Sequence, residues 1–136
     1  MRDTLGEYAF TVHLDTGYED ALERTVAALK EQGFGVVTEI DMRATMRQKL
    51  DLEFRKYAIL GACNPSLAIR ALTTEPQVGL LLPCNVIVYE DEDGGGSTVS
   101  VVDPLGMLAD IEAEGLQSVA DEAHARLAKV ASSLAG

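Results

Sequence analysis

Residues 84–102 read Cys84-Asn-Val-Ile-Val-Tyr-Glu-Asp-Glu-Asp-Gly-Gly-Gly-Ser-Thr-Val-Ser-Val-Val102. Two runs rich in β-branched residues, Cys84–Tyr89 and Ser97–Val102, flank an acidic stretch closed by Gly94, Gly95 and Gly96. That is the composition of an antiparallel hairpin, with the glycines expected to supply the positive φ angles of its turn. Glu90 to Asp93 imitates the opening of a calcium loop. Counted from Asp91, however, Gly95 and Val102 fall where side-chain oxygen ligands are needed, so a solvated turn is expected.

Working back from the hairpin, Gly79–Leu82 is an apolar approach ending at Pro83. Asn64-Pro65 pairs an N-cap residue with proline at the first helical position, and predicts a helix through Leu67, Ala68, Ala71 and Leu72. Tyr57–Ala62 reads as a strand, and Asp41 as the cap of a short helix with Met42, Met46 and Leu50 on one stripe. Phe34–Ile40 reads as another strand. Ahead of it, Gly33 stops a helix whose stripe is Tyr18, Leu22, Val26 and Leu29, opened by a Thr16/Glu19 capping box. Tyr8, Phe10, Val12 and Leu14 alternate with more polar residues, as in a strand with one buried face. On the other side of the hairpin, Asp103-Pro104 repeats the cap-and-proline signal for a brief helical turn. Leu116, Val119, Ala120, Ala123, Leu127, Val130, Ala131 and Leu134 then trace a long amphipathic helix. The expected fold is a single α+β domain over residues 1–136, a mainly antiparallel sheet with both long helices on one face. Its other face would stay open, which invites a partner.

The whole chain carries 22 acidic and 11 basic residues, with 47% hydrophobic residues. The charge is unevenly spread: 8 basic against 11 acidic residues in 1–56, and 3 against 11 in 57–136. An acidic surface repels phosphate backbones and anionic lipid, so neither a nucleic-acid partner nor a membrane is expected. No apolar run is long enough to span a bilayer. Met1–Glu7 lacks the pattern of a secretory signal, so a cytoplasmic location is expected.

Few motifs carry chemistry. Gly33 and Gly35 precede a strand and have no third glycine at Thr38, so no dinucleotide fingerprint is present, and there is no phosphate loop. His13 and His124 are the only imidazoles, and nothing in the sequence brings either to a serine or cysteine. Arg43 and Arg47, one helical turn apart, are candidates for an anion clamp, set against the plainer alternative of a solvated face paired with Asp51 and Glu53. Cys63 and Cys84 are the sharpest feature. Each lies at a predicted strand end and each precedes an asparagine, so Cys63, Asn64, Cys84 and Asn85 form a candidate ligand or thiol site. The start of a helix lowers a thiol pKa if the sulfur faces the free amides. Two thiols do not complete a zinc site, and if a metal is held, these two are its only candidate ligands. The plainer expectation is two substantially buried thiols serving the core. No cofactor is predicted, and no spacing singles out an enzyme's carboxylate pair.

Two blocks in order, Ile59-Leu60-Gly61-Ala62-Cys63-Asn64-Pro65 and Gly79-Leu80-Leu81-Leu82-Pro83-Cys84-Asn85-Val86, resemble the core signature of the domain-of-unknown-function family 302. Lys49-Leu50 and Val102-Asp103-Pro104 with Met107 extend the resemblance over roughly residues 8–134. It implies a β-α-β-β-β-β-α fold of TATA-binding-protein-like architecture and a homodimer. It does not imply DNA binding, because fold alone does not carry function. The function expected is a non-enzymatic, cytoplasmic, homodimeric module for a small ligand or protein partner. The alternative is a thiol-dependent redox or soft-metal-binding protein centred on Cys63 and Cys84.

Overall fold

The computed structural model describes residues 5–136. Five strands, β1 (Ala9–Leu14), β2 (Gly35–Asp41), β3 (Tyr57–Cys63), β4 (Cys84–Glu90) and β5 (Ser97–Val102), form one sheet in the order β1-β5-β4-β3-β2. Every neighbouring pair is antiparallel. The helices are α1 (Tyr18–Glu31), α2 (Met42–Leu50), α3 (Pro65–Thr74), α4 (Pro104–Met107) and α5 (Leu116–Ala135), with a 3-10 segment at Pro76–Leu81. Helix α1 carries the chain from one sheet edge to the other, and it packs on α5 over the same face of β4 and β5. The expected α+β fold, a mainly antiparallel sheet with both long helices on one face, is what the structure shows.

The strand registers explain the layering. Leu60 lies opposite Val86, Val86 opposite Val101, and Val101 opposite Phe10. One residue along, Ile59 lies opposite Ile87, and Ile87 opposite Ser100. Strand side chains alternate between faces, so the first row points to the helices and is buried, and the second forms the open face. Leu127 and Val130 of α5 and Leu29 of α1, all 0% exposed, close the core from above.

Local details depart from the sequence pattern. The N-cap of α1 is Gly17, with no side-chain cap bond. Thr16, one position too early for the expected capping box, has the single buried hydroxyl without a partner among the described residues. The buried stripe of α1 is Ala21, Thr25, Ala28 and Leu29, while Val26 of the expected stripe is 38% exposed. Thr25 tolerates burial because its hydroxyl donates to the Ala21 carbonyl at 2.7 Å. Helix α2 buries none of its residues, and Leu50 is 61% exposed, so its apolar stripe does not face the core. Of the three hairpin glycines only Gly94 has positive φ, at 70°. Gly96 is required for another reason, since a methyl group there would collide with the Leu14 carbonyl.

Candidate functional site

The α3 start is built as its sequence predicts. The Asn64 side-chain oxygen accepts from the Leu67 amide at 3.2 Å, with Pro65 at the first helical position. Gly33, at φ 83°, lets the end of α1 pass close beside the Asn64 side chain, where any larger residue would strike the amide nitrogen. Gly61 does the same between Thr38 and Pro83, the latter following a cis peptide bond. These two close approaches draw the start of β2, the end of β3 and the start of β4 together at one end of the sheet.

At that end lies a cavity of about 470 Å³. Its floor is the ends of β3 and β5 and the start of β4, and its walls come from α3, the 3-10 segment, α4 and α5. The lining is overwhelmingly apolar, with Leu67, Ala71, Val78, Leu82, Met107 and Ala123 among its residues. All four residues of the predicted thiol site, Cys63, Asn64, Cys84 and Asn85, also line it. Both thiols are half-buried and free. Ala62 lies opposite Cys84 in the β3–β4 register, so Cys84 shares the helix-covered face with Ala62 while Cys63, one residue along, starts from the other face of the sheet. Burial, and then the proximity of Cys63, push the Cys84 thiol from 9.0 up to about 11. Cys84 therefore holds its proton at neutral pH. A group whose folded pKa is raised contributes stability that is intact below its unfolded value, here near 9, and is lost as pH climbs through about 11.

The anion-clamp candidates lie elsewhere, on the exposed α2. Arg47 pairs with Glu53 at 2.7 Å, both largely exposed, and Arg43 is exposed beside it. The remaining cations of that cluster are dispersed. Arg55 meets Glu92 at 3.0 Å and stacks over Tyr89, and Lys56 meets Glu19 at 2.8 Å.

Two histidine arrangements escaped sequence reasoning. His124 Nδ1 lies 2.8 Å from Asp103 Oδ1, an oxygen that also accepts the Leu105 amide as the cap of α4. Asp103 is only 2% exposed. The contact ties α4 to α5, next to the cavity wall at Ala123. The cap signal at Asp103-Pro104 was visible, but no local pattern joins it to a histidine 21 residues on. On the open face, Thr98 donates to Asp91 at 2.6 Å and lies 2.9 Å from His13 Nδ1. With its one hydrogen spent, the Thr98 hydroxyl accepts from His13, which puts the imidazole proton on Nδ1.

The open face also carries an aromatic group. Tyr57 and Tyr89 stack at 5.2 Å with 7° between their planes, and Phe54 lies 6.1 Å from Tyr57. Among the described residues no helix is long and apolar enough to cross a membrane, and no three His, Cys, Asp or Glu side chains gather as a metal site.

Comparison with known proteins agrees with the fold. The family model described as "Domain of unknown function DUF302" matches residues 10–134. A solved structure similar to the chain is that of the uncharacterized conserved protein DUF302 from Bacillus stearothermophilus, 29% identical. The similarity covers 93% of this chain and 98% of that one, with a TM-score of 0.83. Comparison with curated proteins finds no match.

Proposed function

The chain belongs to the DUF302 family, and on that premise we propose that it is a non-enzymatic, cytoplasmic, homodimeric module that binds a small, mainly apolar ligand. The observation that carries this reading is the cavity of about 470 Å³, lined by apolar side chains with a few amide and thiol groups. Ligand sites are typically concave, apolar and furnished with a small number of convergent polar groups, in volumes of roughly 300–1,000 Å³. Asn64, Asn85 and Thr38 are polar lining residues suited to orienting such a ligand. The neutral fluorophore N-phenyl-1-naphthylamine should bind with saturation at one site per chain. Ala68, half-buried on the α3 wall, offers a plug: Ala68→Phe should weaken that binding at least about tenfold, a loss of about 1.4 kcal/mol, while leaving the circular dichroism unchanged. Binding untouched by the plug counts against the cavity.

Support for the homodimer is the open sheet face, where Tyr57, Ile59, Ile87 and Tyr89 are only half-buried, and the edge strand β2, where Val37 and Ile40 are 62% and 46% exposed. Exposed apolar surface of this kind is characteristic of interaction sites. Light scattering at micromolar concentration should give twice the 14.6 kDa chain mass. A monomer persisting to millimolar concentration contradicts the dimer.

A second reading, a thiol-dependent function, is favoured by one specific observation. The two cysteines of the chain, 21 positions apart, both line one cavity.

A further inference from the structure

Asn64 does more than cap a helix. Its side-chain oxygen accepts the Leu67 amide at 3.2 Å, which fixes the other end of the carboxamide as the NH2 group. That nitrogen carries two hydrogens, and no acceptor among the described residues takes either. The polar groups closest to a methyl position on Gly33 are this nitrogen and the Arg126 guanidinium, and two donors cannot satisfy each other. Arg126 instead donates to the Gln32 carbonyl and pairs with Glu122. Asn64 is only 9% exposed and lines the cavity. Its nitrogen is nevertheless not sealed in, because the single buried side-chain polar atom without a partner among the described residues is the Thr16 hydroxyl. A donor on a side chain so deeply buried ordinarily has an acceptor, and the cavity is where one can reach it.

The rest of the lining decides what kind of molecule supplies that acceptor. It contains no carboxylate, imidazole, lysine or arginine. A carboxylate or ammonium ligand would lose its water there and find no counter-charge, so the ligand is neutral. A hydroxyl would bring a hydrogen of its own, and the Asn64 oxygen is already committed to the Leu67 amide. A carbonyl oxygen brings lone pairs and no hydrogen. Its partial negative charge is also favoured by the N-terminal end of the ten-residue α3, which starts at Pro65. Resting on the reading of the cavity as a ligand site, we infer that it takes a neutral, mainly apolar carbonyl compound. The carbonyl oxygen accepts a hydrogen bond from Asn64 Nδ2, while the apolar body lies against Leu67, Ala71, Val78 and Leu82. Binding is noncovalent, and no proton or electron is transferred.

Equilibrium dialysis of the full chain tests this with 2-acetylnaphthalene and 2-isopropenylnaphthalene, two molecules of nearly the same shape. The second has a methylene group where the ketone has its oxygen. Asn64→Ser and Asn64→Asp both keep an oxygen to cap α3 and remove the NH2 donor. Each should weaken ketone binding about threefold to tenfold, the net worth of an ordinary hydrogen bond, and change hydrocarbon binding by less than about twofold. In the wild type, the Asn64 side-chain amide signal of a ¹H–¹⁵N spectrum should move downfield with the ketone and not with the hydrocarbon. That measurement keeps the test decisive if a variant fails to fold. The carboxylate analogue 2-naphthoate should bind at least about tenfold more weakly than the ketone. Equal losses for ketone and hydrocarbon in a folded variant, an Asn64 signal indifferent to the ketone, or naphthoate bound as tightly as the ketone overturns the inference. Ala68→Phe separates it from the reading beneath it. If both neutral compounds bind, are blocked by that plug and are not discriminated at Asn64, the carbonyl is defeated and the cavity stands. No saturable binding of either compound defeats both.

Discussion

Leu127→Ala should lower the free energy of unfolding by about 2–5 kcal/mol, read as a lower urea midpoint at unchanged slope. Leu127 lies in the middle of α5, is 0% exposed and belongs to the core cluster shared with Val99, Val101 and Leu29. Truncation removes buried methyl groups and leaves a void that a regular helix over a hydrogen-bonded sheet can only partly close. Helix α5 also carries Val119, Ala120 and Ala123 of the cavity wall and the His124 contact to Asp103. The variant should therefore bind N-phenyl-1-naphthylamine more weakly at temperatures where the wild type is unaffected. Cutting the exposed Arg47–Glu53 pair should cost no more than about 1 kcal/mol by comparison. A Leu127→Ala protein as stable as wild type would mean that α5 is not packed on the sheet in this way.

Gly96→Ala should cost about 1–3 kcal/mol, the usual range for forcing extra volume into a packed site. The added methyl group meets backbone, the Leu14 carbonyl and the Asp15 Cα, and no side-chain rotation relieves it. Neither strand can yield easily, because Ser97 is paired with both Leu14 and Glu90, and the Gly96 carbonyl accepts the Asp91 amide at 2.9 Å. Gly35→Ala is the control. Nothing lies within 4 Å of its methyl position, so its effect should stay within about 0.5 kcal/mol. Equal midpoints for the two variants would contradict the close approach.

Most of the architecture was legible because its signals are local. The hairpin at 84–102, the Asn64-Pro65 and Asp103-Pro104 starts and the α5 stripe each depend on neighbours within a turn or a strand, and each stands where expected. The α1 stripe shifted because tertiary packing favoured small residues: Ala21, Thr25 and Ala28 let α1 sit close, which turned Val26 outward. From sequence Gly96 reads as a turn glycine, because a long-range approach to Leu14, 82 positions away, leaves no local trace.

The candidate site was legible only in part. Cys63 and Cys84 stood out through their matching asparagines, but the cavity between them is made by α3, α4 and α5 closing over the sheet, and sequence has no period for a void. The Asp103–His124 contact was hidden for the same reason. Its acceptor caps one helix, its donor lies on another, and only the packing of α4 on α5 brings them to 2.8 Å.

Where an apolar ligand sits on the protein decides the proposed function. Methyl-labelled protein titrated with N-phenyl-1-naphthylamine and followed by ¹H–¹³C correlation spectroscopy reads that position. Saturable shifts confined to Leu67, Val78, Leu82 and Met107, lost in Ala68→Phe, are the predicted result. Shifts confined instead to Ile59 and Ile87 on the open sheet face, or no saturable shift at all, would contradict it.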